Sequence, residues 1–174
     1  LINQLLDISK IESGQMQVHE KMGDLAELIE NSVQQFNDQA RQKNIELFFI
    51  NDHVSGIYFF DADKWEKIIF NLLSNAIKYR SPDRELRIDI RSERIGDTKT
   101  MITISDNGLG IDIKHQEKNL FKLYKRFHTH VTGKGLGLYL VKTQLDTLGA
   151  SISVRSEPDK GTSFYMVFSQ PDEV

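Results

Sequence analysis

The order of elements in this 174-residue sequence predicts an α/β (α+β) two-layer sandwich, a mixed, largely antiparallel sheet covered on one face by helices. Three observations carry that expectation. Short runs rich in β-branched and aromatic residues come in pairs, at 45–50 and 57–60, 86–91 and 101–105, and 152–155 and 164–168. Patterns with helical periodicity stand between the pairs. With 39% hydrophobic and 27% charged residues, the composition is that of one globular domain with a real core.

The elements follow in order. Residues 1–13 read as a helix end with an apolar seam (Leu1, Leu5, Ile8 and Ile2, Leu6), stopped by Gly14. So short a helix, in a sequence that does not start with Met, is expected to belong to a longer protein. Residues 15–22 read as a polar connection or edge strand. Asp24 is expected to cap a second helix running to about Lys43, with Leu25, Leu28, Ile29, Val33 and Phe36 on its apolar face. Ile45–Ile50 and Ile57–Phe60 read as buried strands. Asp63-Lys-Trp-Glu66 fits a capping box that opens a third helix, ended by Pro82. Residues 86–91 and 101–105 alternate apolar and polar around Gly96-Asp97, and predict an antiparallel pair. Residues 112–133 are rich in Lys and His and bounded by glycines, as a lid or binding loop is. Leu136–Leu148 is a further amphipathic helix stopped by Gly149, and a hairpin around Pro158-Asp-Lys-Gly161 closes the chain.

The third helix is the most informative. Asn71, Asn75 and Lys78 lie within about 60° of one another on a helical wheel. Lys64, Lys67 and Ser74 widen the stripe to about 100°, and the rest of the cylinder is apolar. A solvated strip favours Glu, Lys, Gln or Arg, whereas each Asn in a helix interior costs about half a kcal/mol relative to Ala. The strip therefore faces either water or a ligand. Asp106-Asn-Gly108-Leu-Gly110-Ile111 follows a strand, and a carboxylate beside such glycines suits the exocyclic amine of adenine, although alone it reads more readily as a turn. Gly133-Lys134-Gly135-Leu136-Gly137-Leu138 precedes a helix, where free N–H groups can cradle phosphate, or simply make a hinge. It fits neither the dinucleotide fingerprint nor the Gly-Lys-Ser/Thr phosphate loop. Gly161-Thr162 before a strand is weak by itself. His128-Thr-His130 lacks a nearby third ligand and reads as solvated lid. A net charge of −3 argues against nucleic-acid binding, the absence of Cys excludes disulfides and thiolate zinc sites, and no apolar run approaches the ~18 residues of a membrane span.

Taken together, in this order and spacing, these motifs closely resemble the catalytic, ATP-binding domain of bacterial two-component sensor histidine kinases, which share the Bergerat fold with gyrase and a heat-shock chaperone. The resemblance covers about 22–170, so residues 18–174 are expected to be the catalytic domain with its mobile ATP lid at about 112–133. Residues 1–17 look like the end of the second dimerisation helix. Asn71, Asn75, Lys78 and Tyr79 match the N box; Asp106, Gly108 and Gly110 the first glycine box; Phe121, Tyr124 and Arg126 the F box; Gly133, Gly135 and Gly137 the second glycine box; and Gly161-Thr162 the last one.

The resemblance implies ATP and Mg²⁺. Asn71 would ligate the metal with Asn75 beside it at the phosphates, Lys78 would pair with phosphate, and Tyr79 would line the nucleotide pocket. Asp106 would accept from the adenine amine and Arg126 would stabilise the transferring phosphoryl group. Ile111, Tyr124, Lys134, Leu136, Leu138 and Thr162 complete the expected nucleotide site. Gyrase-like relatives carry a water-activating glutamate at the position of Asn71, and an amide cannot take a proton, which favours transfer over hydrolysis. The implied partners are the dimerisation domain of the same protein, a homodimer at full length, and a response-regulator receiver domain, with no nucleic acid and no membrane contact by this stretch. A cytoplasmic domain is implied, and inner-membrane anchoring of the full-length protein is left open. None of the five histidines lies in the family's acceptor motif, since His19-Glu20 lacks the following proline. Mg-ATP binding without self-phosphorylation is therefore expected. A degenerate binder, a serine kinase or ATPase of the same fold, and a nucleotide-free interaction module are the competing readings.

Overall fold

The computed structural model describes residues 2–43, 45–52, 56–128 and 133–169. A five-stranded sheet has the order β2-β4-β5-β7-β6, from β2 (Glu46–Asp52), β4 (Arg87–Ile95), β5 (Lys99–Asp106), β6 (Ser151–Glu157) and β7 (Gly161–Ser169). Only β2 and β4 run parallel; the other neighbours are antiparallel. A small ribbon of β1 (Lys21–Asp24) and β3 (Ile57–Phe60) stands apart. The helices are α1 (Ile2–Glu12), α2 (Leu25–Gln42), α3 (Ala62–Lys78), α4 (Ile113–Gln116) and α5 (Gly137–Thr147). Among the described residues, no helix is long and apolar enough to cross a membrane.

Register explains the two faces of the sheet. The row Phe49, Ile90, Ile104, Phe164, Val154 crosses all five strands on the helix side. The neighbouring row Arg91, Thr103, Tyr165, Ser153 points the other way, as period-two alternation requires. Beneath the inner face pack Ile68, Ile69, Leu72 and Leu73 of α3 with Val141 and Leu145 of α5, all at most 1% exposed. Trp65 closes the far edge against Phe168, ring centroids 4.9 Å apart. One residue pair further along, the inner row changes character: Leu47 and Ile88 are followed by Asp106, Thr162 and Ser156. The core ends there, and a polar end of the sheet begins.

Several expectations needed correction. The α3 cap is Asp61 rather than Asp63: its carboxylate accepts from Lys64 N at 3.1 Å, from Lys64 Nζ at 2.8 Å and from His19 N at 2.8 Å. Asp63 lies in the first turn and pairs with Lys67. Lys64 consequently leaves the polar stripe, 5% exposed, and also donates to the Gln17 carbonyl. The strands β2 and β3 do not pair with each other, and Ile57 and Phe59 are 63% and 46% exposed, because a two-stranded ribbon buries one face only. Leu5 and Leu6 point outward, while Ile8 of α1 packs on Leu136 and Leu140 and Asp7 pairs with Lys67 at 3.2 Å. The cap by Asp24, the turn at Gly96 and the stop at Gly149 (φ 68°) are as expected.

Candidate functional site

The polar end of the sheet and the strip of α3 face one cavity of about 290 Å³, near the lower bound for small-molecule sites. On α3, Asn71 is 9% exposed and its Nδ2 donates to the Lys67 carbonyl at 2.8 Å. That bond fixes the amide so that Oδ1 is the acceptor presented inward, where Gln4 Nε2 of α1 donates to it at 3.2 Å. Asn75 stands one turn on, then Lys78, whose Nζ lies 4.9 Å from the centroid of the Tyr79 ring.

The second glycine loop lies directly over this strip. A Cβ built on Gly137 would stand 3.5 Å from Asn71 Oδ1 and 3.4 Å from Asn75 Nδ2, and one on Gly133 would collide with Lys78 Nζ. Gly135 takes φ 69° against the backbone of Tyr124 and Lys125, and Tyr124 N donates to its carbonyl at 3.0 Å. Tyr124 and Lys125 are thus held against the second glycine loop, which itself lies over α3. Lys122, Lys125 and Lys134 line the cavity together with Lys78. Their cationic ends suit an anion of high charge.

Another part of the lining is built on Asp106. Its Oδ1 accepts from Gly108 N at 2.8 Å, and Thr162 supplies a second backbone hydrogen bond. Burial pushes the carboxyl up to about 6, against the downward pull of those two donors. Leu109 N donates to the Tyr79 carbonyl at 2.9 Å, so the first glycine loop runs along the end of α3. Gly110 (φ 68°) abuts the Glu157 carbonyl, where no side chain fits. Ser156 Oγ accepts from Ile111 N at 2.7 Å and meets Thr162 Oγ1 at 2.8 Å. A half-buried acceptor in a cavity with polar and apolar walls matches a flat heterocycle with an N–H edge.

Of the residues expected from sequence, Asn71, Asn75, Lys78, Tyr79, Asp106, Gly110, Ile111, Gly133, Lys134, Gly135, Leu136, Gly137, Leu138 and Thr162 line this cavity. Gly108 backs its wall through Asp106. Tyr124 (φ 61°, 63% exposed) lies outside the lining, as does Arg126. Sequence reasoning did not place Gln4, Lys122, Lys125, Phe127 and Phe164 at the site and read His128 as solvated lid, yet all six line the cavity. The lysine density of the lid was a visible signal; Gln4 and Phe164 come from distant elements and had none. His128 Nε2 lies 2.7 Å from the Gly110 carbonyl, with its ring 5.5 Å from that of Tyr79. His130 falls outside the described residues.

Among the described residues no group of three His, Cys, Asp or Glu could hold a metal ion by itself. The donor set, one neutral amide oxygen beside lysines, fits a hard divalent ion that brings phosphate oxygens and water as its other ligands.

Residues 60–172 match the family described as histidine kinase-, DNA gyrase B-, and HSP90-like ATPase. The chain is 27% identical over 175 residues to the sensor protein SrrB of Staphylococcus aureus, an alignment that takes in 99% of this chain and 29% of SrrB. It therefore spans less than a third of the length of that relative. Among solved structures, the catalytic domain of histidine kinase ThkA superposes with a TM-score of 0.74 at 25% identity, covering 87% of this chain and 96% of that one. ThkA in complex with the response regulator TrrA gives 0.73 at 22% identity, with 97% and 48% covered. Full-length ShkA in complex with AMPPNP gives 0.84 at 19% identity, with 98% and 35% covered.

Proposed function

We propose that this chain, which belongs to the histidine kinase-, DNA gyrase B- and HSP90-like ATPase family, binds Mg-ATP in the cavity between α3 and the lid and transfers its γ-phosphoryl group to a histidine outside this sequence. The observation that carries the reading is one cavity lined by Asp106 and by Asn71, Asn75 and Lys78, which face the second glycine loop. Adenine stacks in the apolar slot by Ile111 and Phe164 and donates a hydrogen bond from its amine to Asp106. The triphosphate lies under Gly133–Gly137, where loop N–H groups and Lys78, Lys122 and Lys125 offset its charge. Asn71 Oδ1 would hold Mg²⁺, which would neutralise phosphate charge.

In the reaction the bond from the γ-phosphorus to the β,γ-bridging oxygen breaks, a bond to an imidazole nitrogen forms, and ADP leaves. Asn71, an amide, takes no proton from water, so hydrolysis has no general base at that position of α3. Residues 1–17, in which α1 ends at Glu12, would be the end of a dimerisation helix and its exit; the packing of Ile8 on Leu136 and Leu140 supports an acceptor domain beside the nucleotide site. A response-regulator receiver takes the phosphoryl group onward; ThkA's complex with a response regulator supports that partner. The domain works in the cytoplasm of a longer, dimeric protein, anchored in the inner membrane or free.

Incubation with γ-labelled ATP and Mg²⁺, with and without a separately produced dimerisation domain, tests the proposal. Label should appear on the acceptor domain alone. Stable labelling of this chain by itself, or rapid ATP turnover without acceptor, would contradict it.

A further inference from the structure

We infer that Arg84, in the connection between α3 and β4, is a positioning residue that sets the geometry of Asp106 through the Asn107–Gly108 peptide. The inference rests on the reading that Asp106 takes the adenine amine. Arg84 Nε donates to the Asn107 carbonyl at 2.7 Å. Its Nη2 reaches the Gly108 carbonyl at 3.0 Å, the Asp159 carbonyl at 2.5 Å and Asp159 Oδ1 at 3.1 Å. The Asn107 carbonyl and the Gly108 N–H belong to one planar peptide unit. The same unit is thus gripped on its oxygen by a guanidinium and on its hydrogen by Asp106 Oδ1 at 2.8 Å.

Two consequences follow. The plane of the donor is fixed, and with it the direction in which the second lone pairs of the carboxylate point into the cavity. A cation on the carbonyl oxygen also polarises the peptide and makes its N–H a stronger donor to the carboxylate. The remaining bonds of this loop leave that task to Arg84. The Asn107 side chain donates to the Glu85 carbonyl at 3.0 Å and accepts from Arg87 N at 2.8 Å, which anchors the loop to β4 without touching the Asn107–Gly108 plane.

The competing account is an ordinary surface ion pair with Asp159, whose side chain is 77% exposed. An ion pair does not need three backbone carbonyls, two of them from the adenine loop. The Arg84 side chain is 32% exposed, held in place rather than waving in solvent. A lysine ammonium lacks the planar fork that serves these acceptors at once.

Affinities for ATP and for the purine-riboside triphosphate that lacks the 6-amino group, both with Mg²⁺, separate the accounts in wild type, Arg84→Gln, Arg84→Lys and Asp106→Asn. Wild type should prefer ATP, and Asp106→Asn should lose the preference. Arg84→Gln should lower the ATP preference by about tenfold, chiefly through ATP affinity, because one hydrogen bond to a charged group spans about that factor. Arg84→Lys should fall between, and it keeps the charge if the Gln variant folds poorly. In the Asp106→Asn background, Arg84→Gln should change the ratio no further. An unchanged ATP-to-analogue ratio in both Arg84 variants, even with both affinities weakened, overturns the inference while leaving Asp106 in its role. A wild type that does not distinguish the two nucleotides overturns the role of Asp106, and the inference with it.

Discussion

Replacing Asp106 by Asn should stabilise the empty domain while destroying its preference for adenine. Burial holds the carboxyl at about 6 instead of 3.8, the opposite of what the hydrogen bonds from Gly108 and Thr162 alone would do. About two pH units correspond to at most about 3 kcal/mol at neutral pH, before allowance for water in the cavity and for an Asn that fits the two donors less well. A gain of about 1–3 kcal/mol is therefore expected in urea denaturation near pH 8. The sign follows from linkage. A raised carboxyl favours the protonated native state, so its full contribution exists below 3.8 and is lost as pH rises through 6. The advantage of the variant should accordingly be about half as large at pH 5 as at pH 8. A variant less stable than wild type at pH 8, or a gap that does not widen with pH, would refute the account of Asp106 as a carboxylate strained by burial for the sake of a ligand.

Other substitutions probe other parts of the structure. Gly110→Ala combines φ 68° with a collision against the Glu157 carbonyl, and should cost about 3 kcal/mol in denaturant unfolding. Asp61→Ala removes the α3 cap and strands the buried Lys64, so a loss of about 3–5 kcal/mol is expected, partly restored by adding Lys64→Met. Lys78→Met should weaken ATP binding by about 10- to 100-fold and leave adenosine binding nearly unchanged, as judged by calorimetry with the two ligands.

Much of this architecture was legible because local chemistry dictated it. Asp24 caps its helix as expected, Gly96 and Gly149 turn where no side chain would, and the Asn71–Asn75–Lys78 strip points at one cavity. The failures share a cause. Asp61 wins over Asp63 because its second oxygen meets His19 N, a partner 42 residues away. The β2 strand runs parallel to β4 rather than pairing with its neighbour in sequence, a choice made by the whole sheet. In the site, Gln4 and Arg84 act across 67 and 23 residues respectively, on Asn71 and on the loop of Asp106. Neither spacing leaves a periodicity or a motif to read.

The central claim is that Asn71 and Asp106 hold the two ends of one Mg-nucleotide. Calorimetric titration of the chain with AMPPNP, with and without Mg²⁺, tests it in wild type and Asn71→Ala. Wild type should bind one equivalent, more tightly with the metal, and Asn71→Ala should keep binding but lose the gain from Mg²⁺. No binding by wild type, or a metal-dependent gain that survives Asn71→Ala intact, would contradict the account.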